Sequence, residues 1–251
     1  MGRRWLLVDV GNCRVKWGWV ENGGPLLAGT PFPSDPARLP DELTRHWAGL
    51  ERPDAVHVAN VGGADRAAVL GAWTRRHWNI AARFVEVQAQ ALGVVNGYQQ
   101  PEQLGVDRWV GLIALRRDYA LPACLADCGT ALTLDVLDHA GRHLGGLIAP
   151  GPTSMKRALL RETRGIREFA EALPEFPGRS TAAGVEAGVL WACAGLVEKT
   201  VRALGERFGR SPTLVLSGGD GASVGRCLAL PHQLAPDLVL RGLRLVAENP
   251  S

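Results

Sequence analysis

The sequence predicts an α/β protein of two similar domains, each a mixed sheet flanked by helices. Three observations carry this. Two loops share one design, Asp9-Val10-Gly11-Asn12 and Asp127-Cys128-Gly129-Thr130, and each joins two apolar, strand-like runs. They lie roughly 118 residues apart, about the size of one domain. After the first hairpin, helical and extended patterns alternate, as in a sheet covered by helices. The expected boundary puts one domain at 1–118 and the other at 119–251. A chain of 251 residues, 46% hydrophobic and 21% charged, can also form one large core, and only the loop duplication argues against a single domain.

The elements follow in order. Residues 3–8 form an apolar, strand-like run before the first loop, and residues 15–20 resume an extended pattern that stops at Asn22-Gly23-Gly24. A Pro-rich polar stretch at 31–40 precedes a helix over 41–50, then a strand at 54–61, a helix at 65–77 and a strand at 82–87. Pro101 can start the next helix, whose Leu104, Trp109, Leu112, Ile113 and Leu115 are expected between the two halves. Strands at 121–126 and 131–137 flank the second loop, and Asp138-His139-Ala140-Gly141 turns the chain into a strand at 144–149. Residues 151–179 form the least regular segment, a candidate mobile loop. A long helix at 181–208, a strand at 213–216 and a final helix at 237–248 complete the second half.

Composition narrows the function classes. The net charge of +3 comes without a nucleic-acid-binding motif, and the basic residues of 157–167 are interrupted by glutamates, so a solvated face is expected and no nucleic-acid partner. No window of 18 uninterrupted apolar residues occurs, which predicts no membrane partner and a cytoplasmic protein. Five cysteines without a CxxC pair fit reduced thiols. His139 and His143 have zinc-like spacing, but Gly141 lies between them and a solvated hairpin tip explains the pair.

The loops carry the chemistry. Gly11 and Gly129 let the backbone turn sharply, so that the following N–H groups can point at phosphate oxygens. Asp9 and Asp127 are too acidic to sit beside phosphate without a cation, so they predict one. Two such loops facing each other would clamp a nucleotide. A third signal, Ser217-Gly218-Gly219-Asp220-Gly221, ends an apolar strand in glycines, which lets a flat adenine or ribose ring lie on bare backbone.

Six strings together resemble the type III pantothenate kinases of bacteria, in the superfamily of acetate and sugar kinases, Hsp70 and actin (ASKHA). They are Asp9-Val-Gly-Asn12 with Lys16, Asn96-Gly-Tyr98 followed by Gly105-Val-Asp107-Arg108-Trp109, Asp127-Cys-Gly-Thr130-Ala-Leu-Thr133, Gly145-Gly146-Leu-Ile-Ala-Pro-Gly151, Ser180-Thr181 and Ser217-Gly-Gly-Asp220. The resemblance implies two ribonuclease-H-like (actin/ASKHA-type) domains, each a mixed five-stranded sheet with flanking helices. It also implies ATP-dependent phosphorylation of pantothenate to 4'-phosphopantothenate, the first step of coenzyme A biosynthesis.

By that resemblance Asp107 is the base for the substrate hydroxyl and Arg108 orients substrate or phosphate; a helix cap is the local alternative for Asp107. Asp9 would hold magnesium directly or through water while Gly11, Asn12 and Lys16 approach the phosphates. On a hairpin strand, Lys16 alone reads as solvent-facing. Asp127 would bind a monovalent cation, K+ or NH4+. Gly129, Thr130 and Thr133 would address phosphate, although β-propensity also explains the threonines. Ser217, Gly218, Gly219 and Asp220 would hold adenosine. Tyr98, Gly105, Thr181 and a Gly145-Gly146 turn would form the pantothenate pocket, which in that family lies at a homodimer interface. Trp109 and Trp191 are candidates for interface or core, with core the safer assignment. Cys13 departs from the Ser or Thr that usually follows DxGN, and a thiol is a weak donor, so altered nucleotide affinity is expected. The alternatives are another kinase with the same ATP clamp, a regulatory protein, and an actin-like ATPase; the last would need extra segments.

Overall fold

The computed structural model describes residues 3–163 and 176–249. It divides into two compact units, Met1–Arg117 with Asp237–Ser251, and Asp118–Pro236.

The first unit runs β1 (Arg4–Val10), β2 (Arg14–Glu21), β3 (Leu27–Ala28), β4 (Phe32–Pro33), α1 (Leu39–Trp47), β5 (Ala55–Asn60), α2 (Ala64–Trp78), β6 (Arg83–Phe84), β7 (Gln90–Ala91), β8 (Val94–Val95), a 3-10 turn at Pro101–Gln103 and α3 (Val106–Asp118). β1 is central. It pairs antiparallel with β2, setting Val10 opposite Val15 and Asp9 opposite Lys16, and parallel with β5. Alternation along β1 sends Leu6, Val8 and Val10 into a core with Leu39, Leu43 and Trp47 of α1 and Leu70, Trp73 and Trp78 of α2. Asp9 therefore faces the other side of the sheet, at the end of the strand, where a side chain can serve chemistry without breaking the core.

The second unit runs β9 (Ala123–Cys128), β10 (Ala131–Leu137), β11 (His143–Pro150), α4 (Pro152–Glu162), α5 (Thr181–Phe208), β12 (Thr213–Ser217), α6 (Gly221–Gly225) and β13 (Gln233–Leu234); α7 (Leu238–Glu248) follows. α5 is long and apolar enough to cross a membrane by length and composition. Its apolar residues have a use in the fold: Val189, Leu190, Cys193, Val197 and Val201 pack with Cys124, Ala126 and Leu134 of the sheet.

The two sheets repeat one topology. Their strand orders are β3-β2-β1-β5-β6 and β11-β10-β9-β12-β13, and in both the first two pairings are antiparallel and the last two parallel. β4 also pairs with β2, giving the first sheet a sixth strand.

Several expectations need correction. The final helix does not join the second unit: α7 packs on β1 and β5, and a Cβ on Gly242 would lie 1.9 Å from the Val110 carbonyl oxygen, so α7 and α3 touch backbone to backbone. Arg244 also donates to the carbonyls of Gly23 and Gly24, at 3.0 and 2.8 Å. Residues 152–162 of the expected irregular segment are helix α4, begun by Pro152. Residues 164–175 of that segment lie outside the described residues. Pro101 starts only a 3-10 turn, and α3 begins at Val106. Gly145 and Gly146 are not a turn. They lie within β11, where the pairing with β10 shifts register, and the bulge requires the positive φ of Gly145, 99°. His143 is not at a solvated tip: it is buried, with Nε2 2.8 Å from the buried Asp135 carboxylate. Trp191 is not core: it is 47% exposed, stacked on exposed Phe176 at 4.1 Å. Trp109, Leu104, Leu112, Ile113 and Leu115 are all buried.

Candidate active site

Each unit gathers its own set of candidate residues. In the first, Asp9 and Lys16 are direct cross-strand partners, so their side chains share one face of the sheet. Asp9 is buried, Lys16 half-buried, and exposed Asn12 stands at the tip of the turn that follows. The turn closes through the Gly11 amide donating to the Arg14 carbonyl at 3.0 Å.

The same unit gathers the Asn96-Gly-Tyr98 and Gly105-Val-Asp107-Arg108 strings. Buried Asn96 knots its loop: its Oδ1 accepts from the Tyr98 amide at 3.0 Å, and its side-chain amide donates to the Pro101 carbonyl at 3.2 Å. That holds Tyr98 where its hydroxyl accepts from Arg108 Nη1 at 2.8 Å, with the guanidinium 5.5 Å from the ring centre. Arg108 is buried, which fits a group that orients a partner. Asp107 stands in the first turn of α3, where its carboxylate accepts from the Arg108 amide at 2.7 Å. The cap expected as the local alternative is thus present. Gly105 matters sterically: a Cβ there would lie 2.7 Å from Asp107 Oδ1.

In the second unit three strands bring Thr133, Asp127 and Ser217 into one row. Thr133 is the antiparallel partner of Asp127 and Ser217 its parallel partner, so all three side chains project from the same face. Ser217 is buried, and its hydroxyl has no hydrogen-bond partner among the described residues. No ion pair to Asp127 occurs among the described residues. Periodicity gave Thr133 and Ser217 strand roles; only the pairing register makes them neighbours of Asp127.

The second loop is held by backbone. Gly129 donates to the Ala131 carbonyl at 3.0 Å, and the Thr130 carbonyl accepts from the Gly151 amide at 3.0 Å and from Ser154 Oγ at 2.6 Å. The third loop closes on the second: the Asp220 amide donates to the Cys128 carbonyl at 2.9 Å, and Gly218, at φ 84°, lies where a Cβ would be 2.4 Å from the same oxygen. Exposed Gly219 leaves bare backbone beside this contact. Thr181 opens α5 and is exposed, while Ser180 Oγ caps that helix by accepting from the Ala183 amide at 3.1 Å. Gly146 is exposed on β11.

None of the five cysteines forms a disulfide. Burial pushes the Cys124 thiol up to about 12 and Cys193 to about 11, and raises Cys128 further, with Asp127 and Asp220 adding to the effect on Cys128. These thiols are packing groups beneath the loops. Cys13, in the first loop, is part-exposed.

Residues 5–203 match the family model described as type III pantothenate kinase. The chain belongs to the type III pantothenate kinase family. Relatives in that family include proteins named type III pantothenate kinase from Nitrosococcus oceani, 37% identical over 98% of this chain and 94% of the relative, and from Burkholderia vietnamiensis, 39% identical over 96% and 95%. Solved structures carry the fold comparison further. A protein from Sinorhizobium meliloti described as a 2-dehydro-3-deoxygalactonokinase superposes with a TM-score of 0.59 at 15% identity, covering 98% of this chain and 100% of that one. A Campylobacter jejuni protein described as a Baf family transcriptional activator gives 0.59 at 19% identity, covering 98% of each. At those identities the likeness speaks for the fold alone.

Sequence reasoning missed two residues that brace the first loop. Ser34 and Arg66 both bond the backbone of the first loop. Ser34 lay in the polar stretch and Arg66 on an ordinary helix face, so neither carried a local signal.

Proposed function

We propose that this chain transfers the γ-phosphoryl group of ATP to the terminal hydroxyl of pantothenate, giving 4'-phosphopantothenate for coenzyme A synthesis in the cytoplasm. Family membership, with all six strings present in order and Cys13 the one departure, carries this reading. Phosphoryl transfer asks a protein for positioning, charge neutralisation and a group that accepts the hydroxyl proton. Asp107 takes that proton. Arg108 and Tyr98 act as one hydrogen-bonded unit that orients the substrate, with Gly105, Gly145, Gly146 and Thr181 shaping the pantothenate pocket. Lys16, Asn12 and the amides after Gly11 address phosphate, as do Gly129, Thr130 and Thr133; Ser217, Gly218, Gly219 and Asp220 receive adenosine.

Magnesium supplies neutralisation of phosphate charge when bound, and Asp9 is the residue that would hold it. The donor set fits: Asp9 offers one carboxylate at the end of β1, and magnesium typically takes one or two carboxylates with substrate phosphates and water. Asp127 would hold the monovalent cation. The unpartnered Ser217 hydroxyl and Thr133 on the same face supply the neutral oxygens that such an ion prefers. Exposed Trp191 and Phe176, with exposed Ile148 on β11, support a homodimer.

An assay of ADP release with and without pantothenate tests the function. Release that depends on pantothenate is expected; equal release without it, or release only with a sugar, overturns the reading. For the cation, potassium or ammonium at fixed ionic strength is expected to raise the rate, and Asp127→Asn to remove that rise. Equal rates in sodium, potassium and cation-free buffer would reject the Asp127 assignment.

A further inference from the structure

We infer that Arg66 is a positioning residue for nucleotide, acting as a three-carbonyl clamp that sets the backbone of the first phosphate loop. This deepens the proposed kinase reading and rests on it. Arg66 stands in the first turn of α2 and donates to carbonyls from three separate segments: Nε to Ser34 at 2.7 Å, Nη1 to Gly62 at 2.5 Å and Nη2 to Asn12 at 3.1 Å. A guanidinium is suited to this, because its rigid planar fork presents several donors at once.

The clamp has a second part. Ser34 is fully buried; its Oγ donates to the Gly11 carbonyl at 2.9 Å and its amide to the Cys13 carbonyl at 3.1 Å. Three successive carbonyls of the loop, Gly11, Asn12 and Cys13, are therefore held from the Ser34 and Arg66 side. In a planar trans peptide the C=O and the following N–H point in opposite directions. Fixing the carbonyls of Gly11 and Asn12 thus turns the amides of Asn12 and Cys13 away from the clamp, the arrangement of an anion-binding backbone nest.

Steric detail agrees. Gly62 lies between clamp and loop, where a Cβ would be 2.5 Å from Arg66 Cδ and 3.1 Å from the Gly11 carbonyl oxygen. The Asn60 side chain holds that glycine turn, accepting from the Gly62 amide at 3.1 Å and donating to the Gly63 carbonyl at 3.0 Å. The bonds of Arg66 go to backbone, so its effect on substrate passes through loop geometry.

The test compares Arg66→Ala, Arg66→Lys and Ser34→Ala with wild type, using calorimetric titration with magnesium-ADP and steady-state KM for ATP and for pantothenate. Arg52→Ala serves as a control, since Arg52 also donates to a carbonyl, that of Trp78 at 2.7 Å, but away from the loop. For Arg66→Ala we expect ADP affinity to fall and the KM for ATP to rise by about tenfold or more, with the KM for pantothenate within about twofold. Arg66→Lys should recover part of the loss, because an ammonium can reach one carbonyl but not three. Ser34→Ala should shift the KM for ATP in the same direction by less, and it reads the clamp even if Arg66→Ala does not fold. Folded Arg66→Ala with wild-type ADP affinity, or a loss in kcat alone, overturns the clamp. So does an equal shift in Arg52→Ala. Wild-type protein that binds no magnesium-ADP overturns the first-loop reading itself, which separates the two failures.

Discussion

The two units share a sheet topology and a loop design, yet they secure their loops by different means. Between paired Val10 and Val15 the first loop spans four residues; between paired Cys128 and Leu132 the second spans three. The longer loop is braced by side chains, Arg66 and Ser34, reaching in from other segments. The shorter one is pressed between backbone segments, with Gly151 and Gly218 admitted only because they lack a Cβ. A side-chain brace can be weakened by degrees, whereas a glycine contact at 2.0 to 2.4 Å fails at the first methyl group. The loops' surroundings also differ: the first unit carries the proposed base and substrate cluster, the second a row of side-chain oxygens beside a strand-end glycine pair.

The largest expected effect tests that division of labour. Asp107→Asn should lower kcat by about 10² to 10⁴ while magnesium-ADP binding stays near wild type. A loss below about tenfold would remove the base from the first unit.

Glycine substitutions test the contrast in loop support directly. Gly151→Ala places a Cβ 2.0 Å from the Gly129 carbonyl oxygen and Gly218→Ala one 2.4 Å from that of Cys128, whereas Gly11→Ala meets only the Arg14 carbonyl at 3.2 Å. Overpacking of this kind costs roughly 1 to 3 kcal/mol or more. Thermal melts are expected to rank Gly218→Ala and Gly151→Ala well below Gly11→Ala. Equal melting temperatures would mean the second loop yields as easily as the first.

A third difference is electrostatic. β5 of the first unit carries buried His57, edge-on to Trp5 at 5.9 Å, while its counterpart β12 has no titratable side chain. Burial, then the charge of Arg83, lowers the His57 pKa from 6.5 to about 4. Between those values the unfolded chain binds the proton and the folded one does not. Stability is therefore fully present above pH 6.5 and is lost as pH falls towards 4, by up to about 3 kcal/mol. Denaturant unfolding at pH 7 and pH 4.5 should show this loss, and His57→Gln should shrink it; an unchanged pH dependence in the variant would assign the loss elsewhere.

The smallest effect concerns Cys13. ATP should slow its alkylation, and Cys13→Ser should keep activity within about tenfold, a change of no more than about 1.4 kcal/mol. Cys124, Cys128 and Cys193 should label slowly with or without ATP, since burial holds their thiols protonated. Mass-spectrometric mapping that finds Cys13 labelled equally fast at saturating ATP would place it away from the phosphates.

The sequence by itself determined the features written in local chemistry. Short apolar runs leading into and out of Asp9-Val-Gly-Asn and Asp127-Cys-Gly-Thr specified both hairpins, because such runs bounded by turn residues read as strands. The glycine-aspartate strings specified the family, since few side chains satisfy a tight turn beside an anion. Tertiary structure decided what depends on partners distant in the chain. Whether the last helix belonged to the second half or returned to the first turned on Gly242 meeting Val110, a contact invisible in the pattern of α7. Trp191 and His143 exchanged their expected surroundings because hydropathy ranks a residue type, while burial follows from which faces the strands and helices cover. The Thr133, Asp127 and Ser217 row exists only through pairing register, and the Arg66 clamp only through a fold that brings residues 12, 34 and 62 to one guanidinium. Backbone carbonyls are the same at every position, so no local pattern records which of them a side chain will find.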